Sequence, residues 1–98
     1  AQLEGAAIYS LGAALKERVT IKNGLVEQSN FHDYEIMRMS EIPAMHTELI
    51  RSGDIPLPVG ELSMGAPLPA IANAVFALTG KILRHAPFTP DRVRQALA

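Results

Sequence analysis

A chain of 98 residues and 10.6 kDa, 48% hydrophobic and 19% charged, is one domain's worth of sequence and leaves no room for a linker and a second core. Nine Lys and Arg against ten Asp and Glu give a net charge of −1 and a pI near 6.3, which excludes the basic footprint of a typical nucleic-acid binder. Cysteine is absent, so disulfide frameworks, thiolate metal sites and thiol nucleophiles are excluded, and any chemistry must come from oxygen or imidazole.

The alanine-rich start, Ala1 to Lys16, has no basic leader and no long uncharged apolar run, so it reads as neither a signal peptide nor a membrane span. The first residue is not Met, which suggests a processed chain or a piece of something longer. Leu3, Ala7, Ile8, Leu11, Ala14 and Leu15 follow helical spacing and predict an amphipathic helix over Leu3 to Arg18. Gly5 and Gly12 each cost about 1 kcal/mol inside a helix, so close packing against another backbone is expected there. Val19 to Lys22 and Leu25 to Glu27 flank Asn23-Gly24, the dipeptide suited to a type I′ turn, and predict a β-hairpin. Residues 28 to 43 read as a polar connection, and Ala44 to Ile50 as a further short strand ending in a Ser52-Gly53-Asp54 turn. Pro56, Pro58, Pro67 and Pro69, with Gly60 and Gly65, mark an irregular segment before a second helix over Ala70 to Thr79, which Gly80 stops. A short last helix starts at Pro90-Asp91 with Thr89 as N-cap. The class is α+β, with all 98 residues in a single domain.

Charge is unevenly placed: residues 1 to 61 carry a balance of −4 and residues 62 to 98 one of +3. Between Asp54 and Lys81 the only ionisable side chain is Glu61, inside the stiff stretch Leu57-Pro58-Val59-Gly60-Glu61-Leu62-Ser63. A carboxylate held in apolar surroundings has its charged form disfavoured, which suits a general base; an exposed loop glutamate fits the same pattern, and pattern alone does not decide. His32, His46 and His85 show no ligand spacing, and no metal site is expected. No serine has the Gly-x-Ser-x-Gly context, and Gly60 to Gly65 lacks the residues of a phosphate cradle. Asn30-Phe31-His32-Asp33-Tyr34 fits a ligand-facing loop or, more simply, aromatics capping the core while Asn30 and Asp33 bond the local backbone.

Four stretches in order carry a resemblance: Gln2-Leu3-Glu4-Gly5 through Leu11-Gly12-Ala13-Ala14-Leu15; Thr20-Ile21-Lys22-Asn23-Gly24; Glu27-Gln28-Ser29-Asn30-Phe31-His32-Asp33-Tyr34; and Val59-Gly60-Glu61 leading to Pro69-Ala70-Ile71-Ala72-Asn73-Ala74-Val75-Phe76. Together they resemble the C-terminal part of the molybdenum-binding large subunit of the xanthine dehydrogenase and aldehyde oxidase family, in particular the isoquinoline 1-oxidoreductase beta type. The resemblance implies a bacterial oxidoreductase that hydroxylates aldehydes or N-heterocycles with oxygen from water. In that family the glutamate of the Gly-Glu pair sits beside the molybdenum and takes the proton from its hydroxide, which makes Glu61 the catalytic base. Gln2 occupies the position of a glutamine that approaches the pterin, and Gly60 belongs to the same cofactor-facing pair.

The implied cofactor of the full-length enzyme is molybdopterin in a dinucleotide form, with none expected on the isolated fragment. Implied partners are the upstream part of the large subunit and an iron-sulfur electron-transfer subunit, with no nucleic acid and no membrane span. The implied compartment is the bacterial cytoplasm or periplasm, and unsatisfied helix faces are expected to make the fragment self-associate. Departures from the family pattern are Ala6 and Ser10 where glycine is common, and Leu62 where proline is common. The competing expectation is a free-standing, non-catalytic α+β interaction module derived from this family.

Overall fold

A computed structural model of the chain describes residues 1–53, 55 and 57–98. Its elements in order are helix α1 (Gln2–Leu15), strands β1 (Ile21–Lys22) and β2 (Leu25–Val26), a 3-10 turn (Met39–Glu41), and helices α2 (Gly60–Met64), α3 (Pro67–Thr79) and α4 (Pro90–Leu97). The α+β class holds, with the sheet reduced to one antiparallel hairpin that pairs Ile21 with Val26 and Lys22 with Leu25. Asn23 at φ 52 and Gly24 at φ 79 supply the two positive φ angles that the turn demands.

Helix α1 ends at Leu15, where the amides of Lys16 and Glu17 both bond to the Gly12 carbonyl. Of the predicted apolar stripe only Ala14 lies on the sealed face of the helix. Ala6, Ser10 and Ala14 are buried four residues apart, whereas Leu3, Ala7, Ile8, Leu11 and Leu15 are only half-buried. Small side chains let α2 and α3 pack against α1 at short range. Gly5 does not meet the expected neighbour: a Cβ there would find nothing within 4 Å. Gly12 is crowded, but by a side chain, since a Cβ would collide with the Glu17 carboxylate, which accepts a hydrogen bond from the Tyr34 hydroxyl at 2.7 Å.

The expected strand over Ala44 to Ile50 is absent. This stretch has no strand to pair with and is tied to α1 instead, by the Thr47 hydroxyl donating to Glu4 at 2.9 Å. Asp54 of the expected Ser52-Gly53-Asp54 turn, and Pro56, lie outside the described residues. Helix α3 begins three residues earlier than its apolar spacing indicates, because Pro67 suits a first helical turn, where its missing N–H costs nothing. Gly80 at φ 70 ends it, its amide bonding to the Phe76 carbonyl at 2.7 Å. Thr89 caps α4 by position, although its side chain makes no capping bond.

Gly60–Thr79 has the length and mean hydropathy, 1.4 over an 18-residue window, of a membrane span. The backbone divides it at Gly65-Ala66, and the 13 residues of α3 reach only about 20 Å, short of a bilayer core of about 30 Å.

The core is thin. Buried hydrophobic residues are Ala6, Ala14, Leu83 and Phe88, and the Phe88 amide pins the 83–88 segment to the end of α1 through the Ala14 carbonyl at 2.6 Å. The accessible surface is 7940 Å², against about 5,500 Å² for a compact monomer of this mass. The radius of gyration, 16.1 Å, likewise exceeds the roughly 13 Å of a compact chain of this length.

Candidate functional site

Gln2, Gly5, Ala6 and Tyr9 recur at three- and four-residue spacing and so share one face of α1. That face forms one wall of an open cleft of about 920 Å³. The opposite wall is Leu57, Pro58 and the first turns of α2, including Gly60, Glu61, Leu62 and Met64. The three residues singled out in the sequence, Gln2, Gly60 and Glu61, therefore line one cleft, although two come from α2 and one from the start of α1.

The segment carrying Glu61 is helical, where the prolines and glycines predict an irregular loop. Five residues between two glycines leave no periodicity to read. Ser63 bonds back to the carbonyls of Val59 and Gly60 at 3.2 and 2.9 Å, and the buried Ser10 hydroxyl donates to the Met64 carbonyl at 2.5 Å. Glu61 is exposed and lines the cleft, where among the described residues the phenol of Tyr9 is the one other ionisable side chain. Nothing lies within 4 Å of a Cβ built on Gly5 or Gly60, so both glycines leave open room at the cleft wall. Gln2, also exposed, offers two amide donors and one acceptor at the other wall. Sequence reasoning missed Tyr9 and Ser10 as parts of this site, and the three-and-four spacing from Gln2 was the signal that could have placed Tyr9 beside it.

Among the described residues no three His, Cys, Asp or Glu side chains converge as a metal-binding group. Gln2 brings an amide to the lining and Gly5 and Gly60 two bare backbone positions, and the described lining residues offer no ligand set for a metal. A separate cavity of about 540 Å³, walled by Arg84, His85 and Arg92, contains none of the predicted site residues.

The loop Asn30 to Tyr34 follows the simpler reading in part. Asp33 accepts the amides of Ser29 and Asn30 at 2.9 to 3.0 Å, and Asn30 accepts that of Phe31 at 2.7 Å. The amides of Asn30 and Ser29 hold the Asp33 carboxyl below the usual range. The Tyr34 phenol is pushed up by donating to the Glu17 carboxylate. Phe31 does not cap the core, being exposed beside a shallow pocket formed with Val19, Val26 and Tyr34.

No family model matches the chain. It is 42% identical over 90 residues to isoquinoline 1-oxidoreductase subunit beta of Brevundimonas diminuta, covering 92% of this chain and 12% of that protein. It is 37% identical over 97 residues to a membrane-bound aldehyde dehydrogenase, described as pyrroloquinoline-quinone, of Gluconacetobacter polyoxogenes, again over 12% of that protein and 99% of this one. The xanthine dehydrogenase molybdenum-binding subunit of Escherichia coli O157:H7 is 31% identical over 94% of the chain and 13% of its own length. The fold matches that of quinoline 2-oxidoreductase from Pseudomonas putida 86 with a TM-score of 0.83 at 22% identity, over 98% of this chain and 13% of the other. The chain thus spans about an eighth of the relatives it matches. The similarity extends over 92–99% of the chain, which aligns with a segment of isoquinoline 1-oxidoreductase, aldehyde dehydrogenase and xanthine dehydrogenase subunits.

Proposed function

We propose that the chain is the C-terminal segment of a molybdenum hydroxylase large subunit, with Glu61 as its active-site base and Gln2 and Gly60 as contacts to the pterin. The observation that carries this reading is the meeting of these three residues at one cleft. When bound, a molybdopterin dinucleotide supplies the two-electron chemistry that inserts oxygen from water into an aldehyde or N-heterocycle. Glu61 accepts and holds the proton released at that step on a carboxylate oxygen. Gln2 presents its amide to a heterocycle edge, and Gly60 allows close approach to the backbone beside the base. Glu61 is exposed in this chain, so the apolar, water-poor setting of an effective base is completed by the upstream part of the subunit. The surface in excess of a compact monomer supports that assignment, and electrons leave through a separate iron-sulfur subunit.

Glu61→Gln in the full-length enzyme tests the reading, because it keeps shape and removes the proton-accepting charge. The expected loss in kcat is roughly 10²- to 10⁴-fold with molybdenum content and substrate binding unchanged. A variant with turnover within about twofold of normal and a full cofactor complement would remove Glu61 from the mechanism. The isolated 98 residues are expected to hold no molybdenum cofactor and to self-associate through their exposed helix faces. Stoichiometric molybdenum in the purified fragment, or a monomer at high concentration in light scattering, would contradict those two expectations respectively.

A further inference from the structure

We infer that Ser10 is a positioning residue for Glu61: its hydroxyl latches α2 to α1 and so fixes where the carboxylate stands at the cleft. The inference rests on the reading of Glu61 as the base. Helix α2 has five residues, far below the length at which a helix sustains itself in water, and neither its N-cap nor its C-cap makes a side-chain bond. Its last carbonyls have no partner within the helix. One of them, Met64, accepts from Ser10 at 2.5 Å across 54 positions of sequence.

Ser10 is only 5% exposed, and Ala6 one turn earlier only 8%, so α1 brings its smallest side chains to this junction and water competes little for the bond. Met64 lies three residues after Glu61, which places the two one turn apart on neighbouring parts of the same short helix. A rotation or fraying of α2 that breaks the Ser10 bond therefore swings Glu61 as well. Ser63 cannot supply the same constraint, because both of its bonds run back into its own segment, to Val59 and Gly60. The Ser10 bond is the one side-chain hydrogen bond, among the described residues, that joins α2 to another element.

The test uses the full-length enzyme with two readouts, steady-state kinetics and amide hydrogen exchange over residues 60–66. Ser10→Ala is close in size and deletes only the donor. It is expected to lower kcat roughly 5- to 20-fold with KM and molybdenum content unchanged, and to speed exchange in α2 by about tenfold or more while α3 and α4 stay as they were. Ser10→Thr keeps the hydroxyl and is expected to return both readouts to within about threefold of the parent. Normal turnover, unaltered exchange in α2, or a loss of protection spread equally over α1 and α3 in Ser10→Ala would each overturn the latch. Glu61→Gln is measured alongside. If Glu61→Gln is inactive and Ser10→Ala normal, the positioning role alone fails. If Glu61→Gln turns over normally, the base reading fails and the positioning role falls with it, whatever the exchange of α2 does.

Discussion

The segment from Lys16 to Glu41 and the segment from Gly60 to Thr79 are held by opposite means. In the first, polar side chains bond the nearby chain: Gln28 both accepts from the Thr20 amide at 2.7 Å and donates to its hydroxyl at 2.8 Å, Asp33 gathers the amides of Ser29 and Asn30, and Lys16 pairs with Glu41. In the second, the side-chain hydrogen bonds of Ser63 and Thr79 run back into their own helix, and Leu62, Phe76 and Leu78 stand in solvent. The polar groups of the first segment are satisfied locally, although Ile21, Leu25, Phe31 and Met39 stand exposed there too. In the second segment Leu78 is 85% exposed, and among the described residues none covers it. Glu61 and one wall of its cleft belong to this second segment.

The contrast can be broken where the chain is pinned together. Phe88→Ala removes the largest of the buried hydrophobic side chains and is expected to cost about 3–5 kcal/mol, enough to abolish the cooperative melting transition of so thin a core. Gly24→Ala attacks the self-contained segment at its turn, where φ is 79, and is expected to cost about 1–2 kcal/mol in denaturant titration. A stabilised Gly24→Ala variant would mean that the hairpin does not need its turn geometry.

A smaller effect is set by pH. The Asp33 carboxyl is held down in the folded loop by the amides of Asn30 and Ser29, so its contribution is fully present above the ordinary aspartate value, roughly pH 4, and is lost as pH falls through the lower folded value. Amide exchange at Ser29 and Asn30 should therefore quicken only below about pH 4, with α3 unaffected. Loss of protection beginning near neutrality would exclude the carboxyl as its cause. The smallest expected change in stability, within about 0.5 kcal/mol, belongs to Leu78→Lys, since that side chain touches little within the chain. The same variant should nevertheless reduce self-association of the isolated chain in light scattering. An unchanged assembly would move the sticky surface away from α3.

Part of the molecule was legible because its determinants are local. Asn23-Gly24 specified the hairpin, Gly80 the end of α3 and Pro90 the start of α4, since each residue limits its own backbone whatever surrounds it. The Gly-Glu pair and the glutamine near the N-terminus were legible only through resemblance. Their spacing carries no mark of proximity, and Glu61 read from pattern alone fits a loop residue as well as a base.

Tertiary packing decided the rest. It turned α1 so that Ala6 and Ser10 are sealed beside Ala14 while Leu3, Ile8, Leu11 and Leu15 are only half-buried, because a close approach of helices favours small side chains over large ones. It left Ala44 to Ile50 without a strand, because a strand exists only where a partner supplies its ladder. It also made a helix of Gly60–Met64, a stretch too short to be one by itself, by giving its last carbonyl a donor from α1. Sequence thus determined the hairpin turn and the ends of α3 and α4. Only the fold brought Gln2 and Glu61 to the same cleft, since their proximity depends on contacts between distant parts of the chain that no local preference encodes.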